Sequence, residues 1–178
     1  MEVRRVVVGP NASGETVILS DGPAPNGHDF ESVPGQNQTR VWYSEGVPST
    51  SPPGEEPTLP EGPVVPGPGG SSFVVLRFPP DSVMEDESFD PARAAAEFKA
   101  FAPDIDAADP ETPGFHRTAS LDYVVVLDGE VWLEVTDGAC TRLSAGDTVV
   151  QIAGHHAWRN KSSGYATLAV VLTGAHES

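Results

Sequence analysis

The chain has 178 residues, with ten Lys plus Arg against 26 Asp plus Glu and a formal net charge of −16. That length suits one core with an appendage, and the negative charge repels phosphate backbones and anionic lipid surfaces, so neither nucleic acid nor a membrane is expected as a partner. No window approaches the ~18 apolar residues of a membrane span, and the valine run in MEVRRVVVGP is too brief for a secretion signal, so a soluble, cytoplasmic chain is expected.

VRRVVV and TVIL, separated by GPNASGE, read as a β-hairpin at the N-terminus. A hairpin alone is marginal, so it needs a sheet or a second subunit to add to. From Asp21 to Gly70 proline and glycine dominate, interrupted by RVWYS, which is read as one edge strand. Residues 44–71 are expected to form an extended loop, polyproline-like in places.

SFVVLRFPP (72–80) reads as a strand ended by its prolines, and the acidic run DSVMEDESFD as a solvated loop. FDPARAAAEFKAFAP (89–103) is the one helix expected: Asp90 is a suitable N-cap, Pro91 fits the first turn, and Ala95, Phe98 and Phe101 recur at helical spacing. After residue 114 short β runs alternate with turns at LDGE, TDGA, SAGD, AGHH and SSGY, the pattern of an antiparallel sandwich or barrel. The single cysteine, Cys140, has no disulfide partner and is read as a small packing residue at the start of a strand.

Two stretches carry chemistry. The first, GFHRTASLDYVVVLDGE (114–130), offers Gly114, His116, Thr118, Asp122, Gly129 and Glu130; the second offers Gly146, Asp147, the strand TVVQI, a turn, His156 and Asn160. In this order they resemble the two signature blocks of the cupin superfamily, in particular small single-domain bacterial cupins with an RmlC-like jelly roll. The resemblance covers residues 72–174. Thr118 stands where the family has a second histidine of a His-x-His pair, Asp122 where it has Glu, and Ile152, Ala153 and Gly154 where it has Pro-x-Gly.

The resemblance implies an all-β cupin jelly-roll barrel over residues 72–178, preceded by the hairpin and Pro/Gly-rich arm of residues 1–71. It also implies a homodimer, with the hairpin adding to a partner's sheet edge, and a divalent transition metal (Fe, Zn, Mn or Ni) held by His116, Asp122 and His156. Two histidines and a carboxylate form a known facial set that leaves positions open. In a straight strand, however, residues 116 and 122 would lie roughly 20 Å apart at ~3.3 Å per residue, so the chain must turn between Thr118 and Asp122. Failing that, Asp122 is a hydrogen-bond acceptor for the turn.

Neighbouring residues of an extended chain point to opposite faces, so with His156 inward His155 belongs at the rim and Trp158 on the pocket side. Trp158, Trp132 and Tyr123 are pocket-wall candidates, each equally readable as core packing, and Thr118 and Gln151 are candidates for orienting a polar substrate atom. Arg117 should point away, and His28 and His176 are expected in solvent. No Ser-His-Asp or Cys-His order suits a nucleophile elbow, and GPGG lacks the ending of a phosphate loop. Two functions follow as expectations. One is a metal-dependent enzyme on a small organic metabolite, of isomerase, lyase, cyclase or oxygenase type; the alternative is a metal-free cupin that binds a small ligand or serves as a non-catalytic domain.

Overall fold

The protein was analysed as a computed structural model, which describes residues 1–49, 63–105 and 112–176. Strict two-residue alternation builds its centre. In β11 (Ala166–Gly174) Ala166, Leu168, Val170 and Leu172 are buried and the residues between them half-buried. A strand buried on one face reads this way because successive side chains leave opposite sides of the pleat. β11 lies between β5 (Ser71–Phe78) and β6 (Ser120–Asp128), antiparallel to both. Two further strands extend the sheet on the β5 side, β4 (Asn37–Ser44) and then β3 (Asn26–Asp29), while β9 (Thr148–Ile152) closes the β6 side.

A second antiparallel sheet faces it, in the order β10 (His156–Arg159), β7 (Glu130–Val135), β8 (Cys140–Ser144). Between the sheets Val74, Val124, Val126, Leu168 and Val170 meet Val131, Leu143 and the partly buried Leu133 and Trp158. Each fully buried aliphatic side chain contributes on the order of 1.5–3 kcal/mol. The fold is thus all-β, two facing sheets of a jelly roll, in agreement with the cupin-like architecture expected from the two blocks. The β6–β7 corner needs Gly129: its φ is +72°, and a Cβ there would stand 2.1 Å from the Tyr165 carbonyl oxygen.

The helix α1 (Pro91–Phe101) forms where expected. Asp90 accepts from the backbone N–H groups of Ala92 and Arg93, Pro91 supplies the first turn, and Phe98 and Phe101 pack against the core. The N-terminal hairpin also forms, as β1 (Arg4–Pro10) and β2 (Thr16–Pro23) in a sheet of their own. Arg5 ties it to β4, donating to the Val41 carbonyl at 3.2 Å and lying over the Trp42 ring.

Several expectations need correction. RVWYS belongs to β4, an interior strand, because β3 takes the edge; NGHD has no β-branched residue and gave no strand signal. The six-stranded sheet therefore runs across the boundary drawn at residue 71. Of the expected 44–71 loop, residues 50–62 lie outside the described residues. The stretch after them is anchored: Val64 is buried and the Val64 and Val65 N–H groups donate to the Asp104 carboxylate.

Cys140 is exposed, not packed. His176 is in solvent as expected, but His28 is half-buried, stacked on Phe101 with centroids 4.8 Å apart and bonded to Glu97 at 3.1 Å. Burial pushes the Glu97 carboxyl up. Hydrogen bonds from the Ser32 hydroxyl, the Ser32 and Glu31 backbone N–H groups and the His28 ring outweigh it and bring the pKa down to about 2.

Candidate functional site

The site lies at one end of the sandwich, where the inward row of β6 changes from apolar to polar. Below, Val124 and Val126 face the core; above them come Asp122, Ser120 and Thr118, all buried, and then His116. Thr118 Oγ1 stands 3.2 Å from Asp122 Oδ2 and 2.8 Å from Ser120 Oγ. In an extended strand residues four apart would be ~13 Å apart. The chain therefore bends between Thr118 and Asp122, and Asp122 takes the role of hydrogen-bond acceptor there.

The turn brings His116 beside His156. The two residues exchange both backbone hydrogen bonds at 3.0 Å, and their rings lie 4.4 Å apart, tilted by 55°. Each ring is also pinned from behind. His116 Nδ1 is 3.0 Å from the Gly114 carbonyl oxygen and His156 Nδ1 is 2.9 Å from that of Gly154. A carbonyl can only accept, so both Nδ1 atoms carry the proton and both Nε2 atoms keep a lone pair.

Burial, opposed by the Gly114 hydrogen bond, lowers the His116 pKa. Burial and then the neighbouring His116 push His156 down to about 4. At neutral pH the pair is two uncharged imidazoles. His155 is exposed, and Trp158 shares the His156 face, its ring edge-on at 5.9 Å. The turn that delivers His156 holds Ala153 at φ +43°, a left-handed conformation unusual for a side chain with a Cβ, in the place of the family's Pro-x-Gly.

Asp122 is satisfied by its own neighbourhood. Its oxygens accept from Ser120 Oγ at 2.6 Å, Gln151 Nε2 at 3.0 Å and Thr118 Oγ1 at 3.2 Å. Burial raises its pKa, with the Ser120 and Thr118 hydrogen bonds in opposition. Strand pairing places Ser72, Leu172, Asp122 and Gln151 in one row across the sheet. Two atoms of that row, Ser72 Oγ and Gln151 Oε1, are buried without a hydrogen-bond partner. A buried acceptor left unpaired costs about 1–3 kcal/mol, so such atoms point to a bound polar group.

The residues expected from sequence thus divide. His116 and His156 come together with Trp158 beside them, and Thr118, Asp122 and Gln151 form one network. The three-ligand set is not assembled: among the described residues no three His, Cys, Asp or Glu side chains converge to hold a metal. Tyr123 is half-exposed on the outer face of β6, and Trp132 lies outward on β7, under the Arg142 guanidinium and opposite in direction to buried Val131; neither is on the inner side with Asp122. Alternation carried that signal, since Tyr123 follows Asp122 directly. The sequence reading also missed Ser120 and Ser72; Ser120 was detectable as the inward residue between Thr118 and Asp122.

The donor chemistry fits a metal in part. Two imidazoles on one ion at right angles, with metal–nitrogen bonds of ~2.1 Å, have ring centroids about 4.5 Å apart, close to the separation here. The ring pinning is the outer-shell bond that metal-ligating histidines have. The carboxylate is engaged elsewhere.

No family model matches the chain. Among curated relatives, the Phomopsin biosynthesis cluster protein D of Diaporthe leptostromiformis is 51% identical over 47 residues, 26% of this chain and 25% of the relative. The Oryzines biosynthesis cluster protein J of Aspergillus oryzae is 44% identical over 50 residues, 28% of each. The chain spans about a quarter of the length of the curated relatives it matches.

Among solved structures, a Cupin_2 domain of an XRE family transcriptional regulator from Enterobacter cloacae is 18% identical, with 60% of this chain and 83% of that one covered and a TM-score of 0.37. The DMSP lyase DddQ of Ruegeria pomeroyi is 18% identical, with 61% and 40% covered and a TM-score of 0.37. A putative ethanolamine utilization protein of Salmonella typhimurium is 10% identical, with 99% of each chain covered and a TM-score of 0.45. These overlaps are loose, and no activity passes from them to this chain. Among the described residues no helix is long and apolar enough to cross a membrane.

Proposed function

We propose that the protein is a metal-dependent cupin enzyme that takes a small organic molecule at the mouth of the sandwich, with His116 and His156 as the protein ligands of a divalent transition metal such as Fe, Zn, Mn or Ni. The observation that carries this reading is the pinning of both Nδ1–H groups to backbone carbonyls, which leaves a lone pair on each Nε2 of two rings whose centroids are 4.4 Å apart. When bound, the metal would supply Lewis-acid polarisation of a substrate oxygen at the positions the two histidines leave open.

The chain's own residues do the rest. Asp122 accepts from the Gln151 amide and from the Ser120 and Thr118 hydroxyls, which fixes the polar layer next to the two imidazoles. Trp158 gives an apolar wall against His156. The site suits a neutral substrate: the imidazoles are uncharged and the one carboxyl is biased toward its neutral form by burial.

A second reading, a metal-free ligand-binding domain, is favoured by the engagement of Asp122 with Ser120, Thr118 and Gln151. Metal content by mass spectrometry on protein purified without a metal-affinity column separates the two. Near-stoichiometric metal, lost in His116→Ala and in His156→Ala, is the expected result. An empty protein that also fails to take up added iron, zinc, manganese or nickel would leave the ligand-binding domain.

A further inference from the structure

His116 and His156 are pinned by the same short device. In each, the ring Nδ1–H donates to the carbonyl of the glycine two residues earlier, Gly114 at 3.0 Å and Gly154 at 2.9 Å. The residue between glycine and histidine differs: His155 is exposed, whereas Phe115 is half-buried.

The backbone support differs as well. His156 opens β10 and is registered against Val135 of β7, so a ladder holds it. His116 lies outside the named strands and is attached to β10 through the isolated bridge to His156. The turn before it closes with the Phe115 N–H donating to the Thr112 carbonyl at 3.1 Å, and Gly114 stands at φ +78°. A carbonyl in such a turn stays aimed at the His116 ring only while the Gly114–Phe115 peptide is held, because rotation of that peptide swings the acceptor away from Nδ1.

Arg159 is placed to hold it. The bridge register sets Phe115 opposite Ala157, so Arg159, two residues further along β10, is the diagonal neighbour of Phe115 on the side of the strand away from His156 and Trp158. Its guanidinium lies over the Phe115 ring, 5.6 Å from the centroid, and a Cβ on Gly114 would stand 3.1 Å from its Nη1. Glycine at 114 therefore serves both the left-handed backbone and the close approach of Arg159. From the β7 side the guanidinium is fixed by Nε, which donates to Glu134 Oε2 at 2.8 Å; the two side chains are only 23% and 31% exposed. A planar fork can cover a ring and bond a carboxylate at once, which the point charge of a lysine cannot.

We propose that Arg159 is a positioning residue for His116: anchored by Glu134, it clamps the Gly114–Phe115 peptide so that the Gly114 carbonyl keeps His116 in the Nδ1–H form with Nε2 bare. One strand, β10, thus carries one histidine of the pair and orients the other. Only the consequence for metal binding rests on the reading of His116 as a ligand; the orientation belongs to the metal-free chain.

Long-range proton–nitrogen NMR of the histidine rings at pH 7, on the metal-free full chain, tests the proposal. His116 and His156 are both expected as Nδ1–H rings in the wild type. In Arg159→Ala, His116 should show both tautomers in exchange, while His156, pinned by Gly154, keeps its own. Phe115→Leu removes the ring under the guanidinium, leaves the Arg159–Glu134 pair in place and should give the same one-sided change, so the test survives if Arg159→Ala does not fold. Arg159→Lys should restore His116 only in part. Zinc affinity should fall about tenfold or more in Arg159→Ala, the loss typical of an outer-shell partner, and less in Arg159→Lys. A His116 ring unchanged in Arg159→Ala and Phe115→Leu would overturn the proposal. So would a change at both histidines together, the mark of a loosened sheet. A wild type that takes up no zinc would remove the metal reading and not this one, which the metal-free rings decide.

Discussion

The two ends of the β6 inner row differ sharply in chemistry. At one end Val124 and Val126 join Leu168 and Val131 in a dry layer whose members are at most 2% exposed and bear no polar side-chain atom. At the other, Thr118, Ser120 and Asp122 are nearly as buried, yet every one of them is hydrogen-bonded, and the layer ends in two imidazoles. The same strand geometry serves both. The apolar layer holds the sheets together at no cost in unsatisfied groups, while the polar layer carries that cost at Ser72 Oγ and Gln151 Oε1.

The contrast can be broken most severely from the apolar side. Leu168→Ala removes a fully buried side chain from the dry layer and should cost about 2–5 kcal/mol in urea unfolding, with zinc uptake retained at temperatures where the variant is folded. In the polar layer the outcome depends on chemistry more than volume. Asp122→Val leaves Ser120, Thr118 and Gln151 without their acceptor and should cost roughly 2–3 kcal/mol. Asp122→Asn preserves shape and an acceptor and should change stability at pH 7 by less than about 1 kcal/mol. Equal losses in the two variants would contradict the network.

Protonation gives a smaller effect with a definite sign. The unfolded histidines take up protons near pH 6.5, whereas folded His156 does so only near 4 and His116 below its ordinary value. Between those pH values the unfolded chain binds more protons, so the stability owed to neutral rings is complete above about pH 6.5 and is lost as pH falls toward about 4. Glu97, brought down to about 2, adds a later loss between its unfolded value near 4.5 and about 2. Unfolding midpoints measured from pH 7.5 to 4.5 should fall in the wild type and fall less in His156→Asn.

The smallest change is at the turn. Ala153→Gly relieves a left-handed φ of +43° and should raise stability by about 0.5–1 kcal/mol, read as a higher midpoint in the same experiment. A lower midpoint would mean that the methyl group packs usefully there.

What was legible in the sequence follows the same division. β6 to β11 announce themselves through alternation and Gly-centred turns, and the alternative role of Asp122 as a hydrogen-bond acceptor is the one it takes. The His116–His156 pair was legible as two blocks in order. The fate of the carboxylate was not, because its choice between a metal and three hydrogen-bond donors depends on Ser120 and Gln151, the latter 29 residues away on β9. Tyr123 and Trp132 were misplaced by weighing aromatic character over parity. β3 had no pattern to betray it, and the His28–Glu97 contact joins residues 69 apart with no local trace.

The central claim is that His116 and His156 stand ready at neutral pH as Nδ1–H tautomers with free Nε2 atoms. Long-range proton–nitrogen NMR of the five histidine rings at pH 7, before and after one equivalent of zinc, tests it most directly. The account expects two neutral Nδ1–H rings whose Nε2 signals alone shift on addition of zinc. Protonated or Nε2–H rings at these positions, or a zinc response spread over His28, His155 and His176, would contradict it.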